Sequence, residues 1–315
     1  MDSPKLPMMA LSLCPAIDTT LYLDGLRPVQ ELPVREEHSE AGGKGPNVAA
    51  ALARLGIDCP CIALTGEENA AAFLRLAREA GVRCLPVPVA GRIRENLSLE
   101  TPAGQFRVMR RGFSVGEEDL ERLGEVLRRV VPPGAFLFAG GKLPDGIAPG
   151  RFAALCEALR DRGVQIGLDT AMVTPAEVRR IRPVVMKPNR LELGAITGLP
   201  VETRDQVLSA AALLRENGAQ SVLVSLDAAG ALLMDAEGCL EARAPSVEVR
   251  SSVGAGDAMF AWFCAARLSG ASREEALRQA VAAGSAACRR YGTRPPEPCD
   301  VAELLPQVTL AAPMA

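Results

Sequence analysis

The chain predicts an α/β protein: a mostly parallel central sheet with helices on both faces and a small β-sheet lid. Three observations lead there. Short apolar runs of strand length alternate with helical patterns along most of the sequence. Two segments break that alternation and read as strands of a separate small sheet. The 315 residues, 48% of them apolar, suffice for a sizeable core and fit one large α/β domain or two smaller ones, the expectation being one domain over 1–315.

In chain order, the apolar run 8–14 opens the sheet. The first departure, at 19–35, holds Thr-Thr-Leu-Tyr-Leu, turn residues and Leu-Pro-Val. A helix over 46–55 follows, with Pro46 in the first turn and Gly56 past its end. A strand at 60–64 and a helix at 70–80 come next. The second departure, 95–111, reads as two strands, 96–100 and 105–109, around Thr101-Pro-Ala-Gly104. The lid strands therefore enter as insertions at about 18–38 and 93–112. A water-excluding cover and a peripheral excursion both fit them. Helix 117–130, strand 135–139, helix 149–162 and strands 165–169 and 184–187 continue the alternation. Helix 206–217 and strand 221–226 precede the apolar run 258–268, ended by Gly270, and helix 272–290, opened by Ser272 and Glu275 as a capping box. The tail after Leu310 looks loose. In such a fold ligands gather at the carboxyl ends of the strands.

Composition excludes several classes. A net charge of −3 gives no electrostatic reason to bind nucleic acid or anionic lipid, and no apolar stretch is long enough to span a membrane. The opening Met1-Asp-Ser-Pro-Lys-Leu-Pro lacks the n-region and h-region of a signal peptide. Nine scattered cysteines without metal-type spacing read as reduced thiols, so a cytoplasmic location is expected. With His38 the single histidine, a histidine-based relay or histidine-rich metal site is excluded.

Three motifs carry chemistry. In the first, residues 250–260, Gly254 and Gly256 flank Ala255 just before Asp257, where a tight turn becomes a helix. Free N–H groups and the helix dipole favour transferring phosphate oxygens, and a carboxylate beside them can take a proton from an attacking hydroxyl. Asp is equally a good N-cap, so a plain capped helix accounts for the same residues. The second is Glu40-Ala-Gly-Gly-Lys-Gly-Pro-Asn-Val-Ala-Ala50, bare backbone at a helix start with one cation and one amide. It is neither a Walker loop nor a dinucleotide fingerprint, and a tight strand-to-helix connection is the bland alternative. In Lys187-Pro-Asn-Arg-Leu-Glu192, the third, Asn189 and Glu192 share a helix face and can hold Mg²⁺ through water, or simply cap the helix.

Taken together, Cys14-Pro-Ala-Ile-Asp18, Gly42-Gly-Lys-Gly45, Lys187-Pro-Asn189, Val253-Gly-Ala-Gly-Asp257 and Ala282-Ala-Gly-Ser-Ala286 resemble the ribokinase-like (PfkB-type) sugar kinases over nearly the whole chain. The stretch 41–47 with Pro15-Ala-Ile-Asp18 is most similar to the subgroup that phosphorylates hexose phosphates: phosphofructokinases, fructose-1-phosphate kinases and tagatose-6-phosphate kinases. Arg94-Glu-Asn-Leu, Arg107-Val-Met and the stretch 281–294 are most similar to the fructose-6-phosphate kinases of this subgroup, a resemblance that implies fructose 6-phosphate as acceptor.

The resemblance implies a three-layer α/β/α sandwich and an ATP- and Mg²⁺-dependent kinase, with K⁺ a candidate cofactor and a homodimer formed through the lid. Asp257 would be the general base, with Gly254, Ala255 and Gly256 offering N–H groups to developing charge. Asp18, Gly42, Gly43 and Asn47 would hold the sugar, Lys44 would lie near a phosphate, and Arg94 would grip the phosphate already on the sugar. Lys187, Asn189, Glu192, Ser225, Asp227 and Gly230 would line the ATP site, with Ala283, Gly284 and Ser285 beside the adenine. Ser252, Val253, Ala287, Gly292 and Arg294 map near a monovalent-cation site in relatives, largely through backbone oxygens.

The chain also departs from the family. Lys142 stands where a hydroxyl is usual in Gly140-Gly-Lys-Leu-Pro, and would contact phosphate or change which sugar fits. Asp227 replaces a glycine, Ala258 a Ser or Thr, and Arg290 a smaller polar residue. None of these removes the base or the glycine cradle. A nucleoside kinase would lack a cationic cluster for a phosphorylated acceptor; a sugar-phosphate sensor with little turnover on the same fold would not need Asp257, though Asp227 and Lys142 fit it. An oxidoreductase would need the missing dinucleotide fingerprint.

Overall fold

In the computed structural model, residues 6–28 and 31–311 are described. Most of residues 1–7, two positions of the first lid insertion and the tail beyond Ala311 thus fall outside the described residues. The chain runs β1 (Met8–Ser12), β2 (Ala16–Tyr22), β3 (Glu36–Gly42), α1 (Lys44–Arg54), β4 (Cys61–Gly66), α2 (Ala70–Glu79), β5 (Cys84–Val89), β6 (Arg94–Thr101), β7 (Gly104–Val108) and α3 (Glu117–Val130). It continues β8 (Phe136–Gly140), α4 (Pro149–Arg160), β9 (Gln165–Asp169), α5 (Pro175–Ile181), β10 (Val185–Met186), α6 (Arg190–Thr197), α7 (Arg204–Glu216) and β11 (Val222–Ser225). It ends β12 (Ala231–Asp235), β13 (Gly238–Arg243), α8 (Ala255–Leu268), α9 (Arg273–Cys288), α10 (Pro298–Leu304) and β14 (Thr309–Ala311).

A ten-stranded sheet has the order β14-β13-β12-β11-β10-β9-β8-β1-β4-β5, parallel from β11 to β5 and antiparallel from β11 to β14. Its parallel strands read as continuous apolar runs because both faces are covered: β1 and β4 are buried throughout. The core packs Phe138 edge-on to Phe260 of α8, rings 5.2 Å apart. The antiparallel end was not expected. Strand β13 is half-buried and mixed in polarity, so its apolar pattern is weak; β12 is an apolar run over 231–234, buried over its first three residues, that was not among the expected strands. At the far edge β5 carries Pro86 and Pro88, which an edge strand tolerates because half its N–H groups face no partner.

The second sheet, β3-β2-β6-β7, is the small one expected from the two insertions. Its second strand lies elsewhere than the sequence suggested. Leu32-Pro33-Val34 is irregular, and the pairing with β2 is made instead by the polar run Glu36–Gly42, in register from Tyr22↔Glu36 to Ala16↔Gly42. Pro33 has no N–H to give a ladder, and the half-exposed lid faces accept polar side chains.

Two helix starts position the site. α1 begins at Lys44, capped by Gly43 at φ 102, and α8 begins at Ala255, capped by Gly254 at φ 80. Both caps lie where side chains are strained, so glycine is required. Asp257 therefore sits inside the first turn of α8 and caps nothing, which removes the plain-cap reading of that motif.

Candidate active site

The amino ends of α1 and α8 converge over the carboxyl ends of the parallel strands. Asn47, buried in the first turn of α1, donates from Nδ2 to Asp257 Oδ2 at 2.7 Å, while its own N–H bonds to Gly43 O at 3.0 Å. The Gly43 loop and the carboxylate of α8 are thus joined directly, although 210 residues apart in sequence. Asp257 is 7% exposed. Burial chiefly, and then the charge of Asp169, push its pKa up to about 6, against the pull of Lys44, Asn47 and Lys187. A carboxylate so tuned is still ionised at neutral pH and is a stronger base than a free one.

Beneath it lies a chain of alternating charges. Asp169, at the end of β9 and fully buried, accepts from Lys44 Nζ and pairs with Lys187 Nζ at 3.2 Å. Lys44 Nζ also reaches Glu192 Oε1 at 3.1 Å. Burial opposes the charge on Lys44, but Asp169, Glu192 and Asp257 outweigh it and hold its pKa above the usual lysine value. Lys44 is thus held charged between the Asp169 and Glu192 carboxylates. Lys187 lies below the turn of α8: a Cβ on Gly256 would come 3.1 Å from its Nζ, so the missing side chain keeps the ammonium beside the cradle.

At α6 the capping alternative is realised. Glu192 N–H donates to Asn189 Oδ1 at 2.8 Å and Asn189 N–H to Glu192 Oε2 at 2.9 Å. The Glu192 side chain remains 21% exposed, with Lys44 on its other oxygen. Ser225 at the end of β11 bridges to Asn189. Asp227 follows at φ 51, which explains why glycine suits that position. Two other glycines are explained by packing: a Cβ on Gly230 would fall 2.0 Å from Ala242 O, and one on Gly284 would fall 3.2 Å from Met259 Cε of α8. Ala283 and Ser285 are buried beside Gly284 in α9.

On the lid side Asp18 accepts from Asn96 Nδ2 at 2.7 Å, and a Cβ on Gly42 would overlap Asp18 Oδ2. Burial raises the pKa of Asp18; Asn96, Arg94 and Arg107 counter it, and Glu40 adds to it. Arg94 Nη2 donates to Cys14 O at 3.4 Å, and its buried Nε has no hydrogen-bond partner. Lys142 is exposed and, with Arg94, exerts its charge on Cys14. Three cations thus act on the entry to β2, Arg94 and Lys142 on Cys14 and Arg94 and Arg107 on Asp18.

The segments named for a monovalent cation meet at one corner. Arg250 N–H and Ser251 N–H both donate to Cys288 O, and Gly254 packs on the backbone of Thr293. Arg294 turns its guanidinium to Glu40, and Arg290 pairs with Asp300. Sequence reasoning missed Asp169, Asn96 and Glu40. Asp169 ends an apolar run at the carboxyl edge of the sheet, a readable signal; Glu40 has none, since its partners are more than 250 residues away.

A helix amino end with a buried base beside it, joined to a glycine-capped second helix start next to a small lid sheet, has the parts that phosphoryl transfer to an alcohol requires. The model of the pfkB family carbohydrate kinases matches residues 8–299, and the chain belongs to that family. It is an ATP-dependent sugar kinase on a ribokinase-like fold. Among its relatives, the 1-phosphofructokinase of Xanthomonas campestris is 35% identical over 88% of this chain and 90% of its own length. The ATP-dependent 6-phosphofructokinase isozyme 2 of Escherichia coli is 31% identical over 90% and 93%. The structure of Escherichia coli phosphofructokinase-2 in complex with potassium superposes with TM-score 0.88 at 29% identity, covering 96% of this chain and 99% of that one.

Proposed function

We propose that this kinase transfers the γ-phosphoryl group of ATP to a hydroxyl of fructose 6-phosphate, giving fructose 1,6-bisphosphate. The reading rests above all on Asp257, a buried base of raised pKa that Asn47 holds against the Gly43 loop at the amino end of α8. Asp257 takes the proton of the attacking hydroxyl, and the N–H groups of Gly254, Ala255 and Gly256 receive charge developing on the transferring oxygens. Asp18, Gly42, Gly43 and Asn47 hold the sugar. Arg94, with a buried Nε left unpaired, grips its phosphate, and Arg107 and Lys142 add positive charge.

Lys187, Asn189, Glu192, Ser225, Asp227 and Gly230 line the nucleotide, with the adenine against Ala283, Gly284 and Ser285. Mg²⁺ fits as an ion carried on the nucleotide, because it prefers phosphate and water with one or two carboxylates and the Glu192 carboxylate stays partly exposed at the amino end of α6. Glu192 and Asn189 would hold it through water, and the ion would neutralise charge on the phosphates. K⁺ belongs at the corner of Ser252, Val253, Ala287, Gly292 and Arg294, supported by the potassium complex of the Escherichia coli relative.

Fructose 1-phosphate is the second acceptor, favoured by the 35% identity to the Xanthomonas 1-phosphofructokinase. A coupled assay with ATP and fructose 6-phosphate, fructose 1-phosphate or tagatose 6-phosphate decides among them. A kcat/KM highest for either of the latter two removes the first assignment. A dimer through the lid completes the reading. The edge strand β7 and its continuation expose Phe106, Val108 and Met109, a patch that pairing would cover. Sedimentation of a pure monomer at micromolar concentration would exclude it.

A further inference from the structure

We infer that Glu40 is a positioning residue that latches the acceptor side of the site to the phosphate cradle, so that binding of the acceptor is felt by ATP. The inference rests on the kinase reading above and adds a coupling device to it.

Glu40 lies on β3 directly opposite Asp18 on β2. Paired residues of an antiparallel ladder share a face, and two carboxylates there repel unless each is committed elsewhere. Asp18 is held by Asn96, whereas Glu40 reaches out of the lid. Its Oε2 accepts from Thr293 N–H at 2.8 Å and Thr293 Oγ1 at 2.9 Å, and its Oε1 accepts from Arg294 Nε at 2.9 Å. The space is reserved for it, since a Cβ on Gly292 would come 2.5 Å from Glu40 Oε2. The loop so gripped is also the floor of the cradle: a Cβ on Gly254, the cap of α8, would meet Thr293 O at 3.3 Å. A second contact runs alongside, Tyr22 of β2 lying edge-on to Tyr291 with ring centroids 6.1 Å apart, while Arg250 covers the Tyr291 ring at 5.2 Å.

Beside the Asn47–Asp257 bond and the Tyr22–Tyr291 contact, one carboxylate thus ties the lid strand to the loop under the cradle. Three residues after Glu40 the lid strand becomes Gly43, the cap of α1; one residue after Gly254 begins the helix that carries Asp257. A shift of β3 on acceptor binding pulls on Thr293 and so on the turn that receives the γ-phosphate. The link is polar and partly exposed, the kind that can break and re-form as a lid moves.

The test compares the wild type with Glu40→Gln, Thr293→Val and Thr293→Ser in the full-length enzyme. ATP dissociation constants are measured by calorimetry with and without saturating acceptor, using a non-hydrolysable ATP analogue. Hydrogen exchange of peptides covering 252–256 and 290–295 is followed with no substrate present. In the wild type the acceptor tightens the analogue about fivefold or more, within the usual range of coupling between sites. Glu40→Gln brings this ratio below about twofold, Thr293→Val lowers it in part, and Thr293→Ser retains it. Exchange speeds up in both peptides of Glu40→Gln, whatever sugar the enzyme uses. A ratio undiminished in Glu40→Gln overturns the latch, as does unchanged exchange at 252–256 in a variant whose 290–295 peptide has loosened. A wild type that binds none of the three sugar phosphates overturns the functional reading instead, and the exchange result then decides the latch by itself.

Discussion

Replacing Asp257 by Asn is expected to make the protein more stable and almost inactive. Asn keeps the shape and an oxygen that accepts from Asn47 Nδ2, but removes the charge. In the fold the Asp257 pKa is raised from 3.8 to about 6, burial being the main cause. At ~1.4 kcal/mol per tenfold change in proton affinity, the difference amounts to about 3 kcal/mol. The sign follows from which state holds the proton. Below pH 3.8 folded and unfolded chains are both protonated at this residue and the variant gains nothing. Between 3.8 and about 6 the unfolded chain ionises freely while the fold resists, so the wild type loses stability as pH rises; above about 6 the loss is complete. Urea unfolding should therefore show the gap closing as pH falls toward 3.8 and the variant about 3 kcal/mol more stable at pH 8. For 315 residues at roughly 2.1 cal/mol/K each, that corresponds to a Tm rise of about 5 °C. Turnover should fall by about 10²–10⁴-fold, the usual contribution of a positioned base. A variant no more stable at pH 8, or a gap independent of pH, would refute the burial argument. Undiminished kcat would take Asp257 out of the base role.

In the wild type, log kcat/KM should fall with unit slope as pH drops below about 6, because protonated Asp257 cannot accept the hydroxyl proton; a flat profile down to pH 5 contradicts this. Arg94→Ala should raise the sugar-phosphate KM by about 10–100-fold with the ATP KM unchanged, the loss of a charge-assisted pair; a rise in the ATP KM alone would misplace the phosphate. Gly256→Val would drive its side chain toward Lys187 Nζ, so kcat should drop by at least about 10³-fold while circular dichroism stays native; an active variant would show that the cradle tolerates bulk. Asp227→Gly removes an exposed negative charge and relieves a left-handed backbone, so the ATP KM should fall a few-fold, most clearly at low salt; an unchanged KM would place Asp227 away from the nucleotide.

Much of the site was legible because its chemistry is local. A glycine that must take positive φ at a helix start, with Asp257 two residues inside the turn, is a pattern that neighbouring residues create by themselves. The same holds for α1 and its Gly43 cap, and for the Asn189–Glu192 box, whose two hydrogen bonds span three residues. The parallel strands were visible for a similar reason, since burial on both faces makes every residue apolar. Strands that face water on one side, such as β3 and β13, gave no such run and were misplaced or missed.

The sequence by itself determined the alternation of elements, the two helix starts and the presence of a carboxylate beside free N–H groups, because each depends on contacts a few residues long. Only the tertiary structure decided what that carboxylate meets. The Asn47–Asp257 bond, the Lys44–Asp169–Lys187 chain and the Glu40–Thr293 latch join residues 18 to 253 positions apart. The first two owe their strength to burial, and all three exist only once the sheet, the lid and the two helices have closed together.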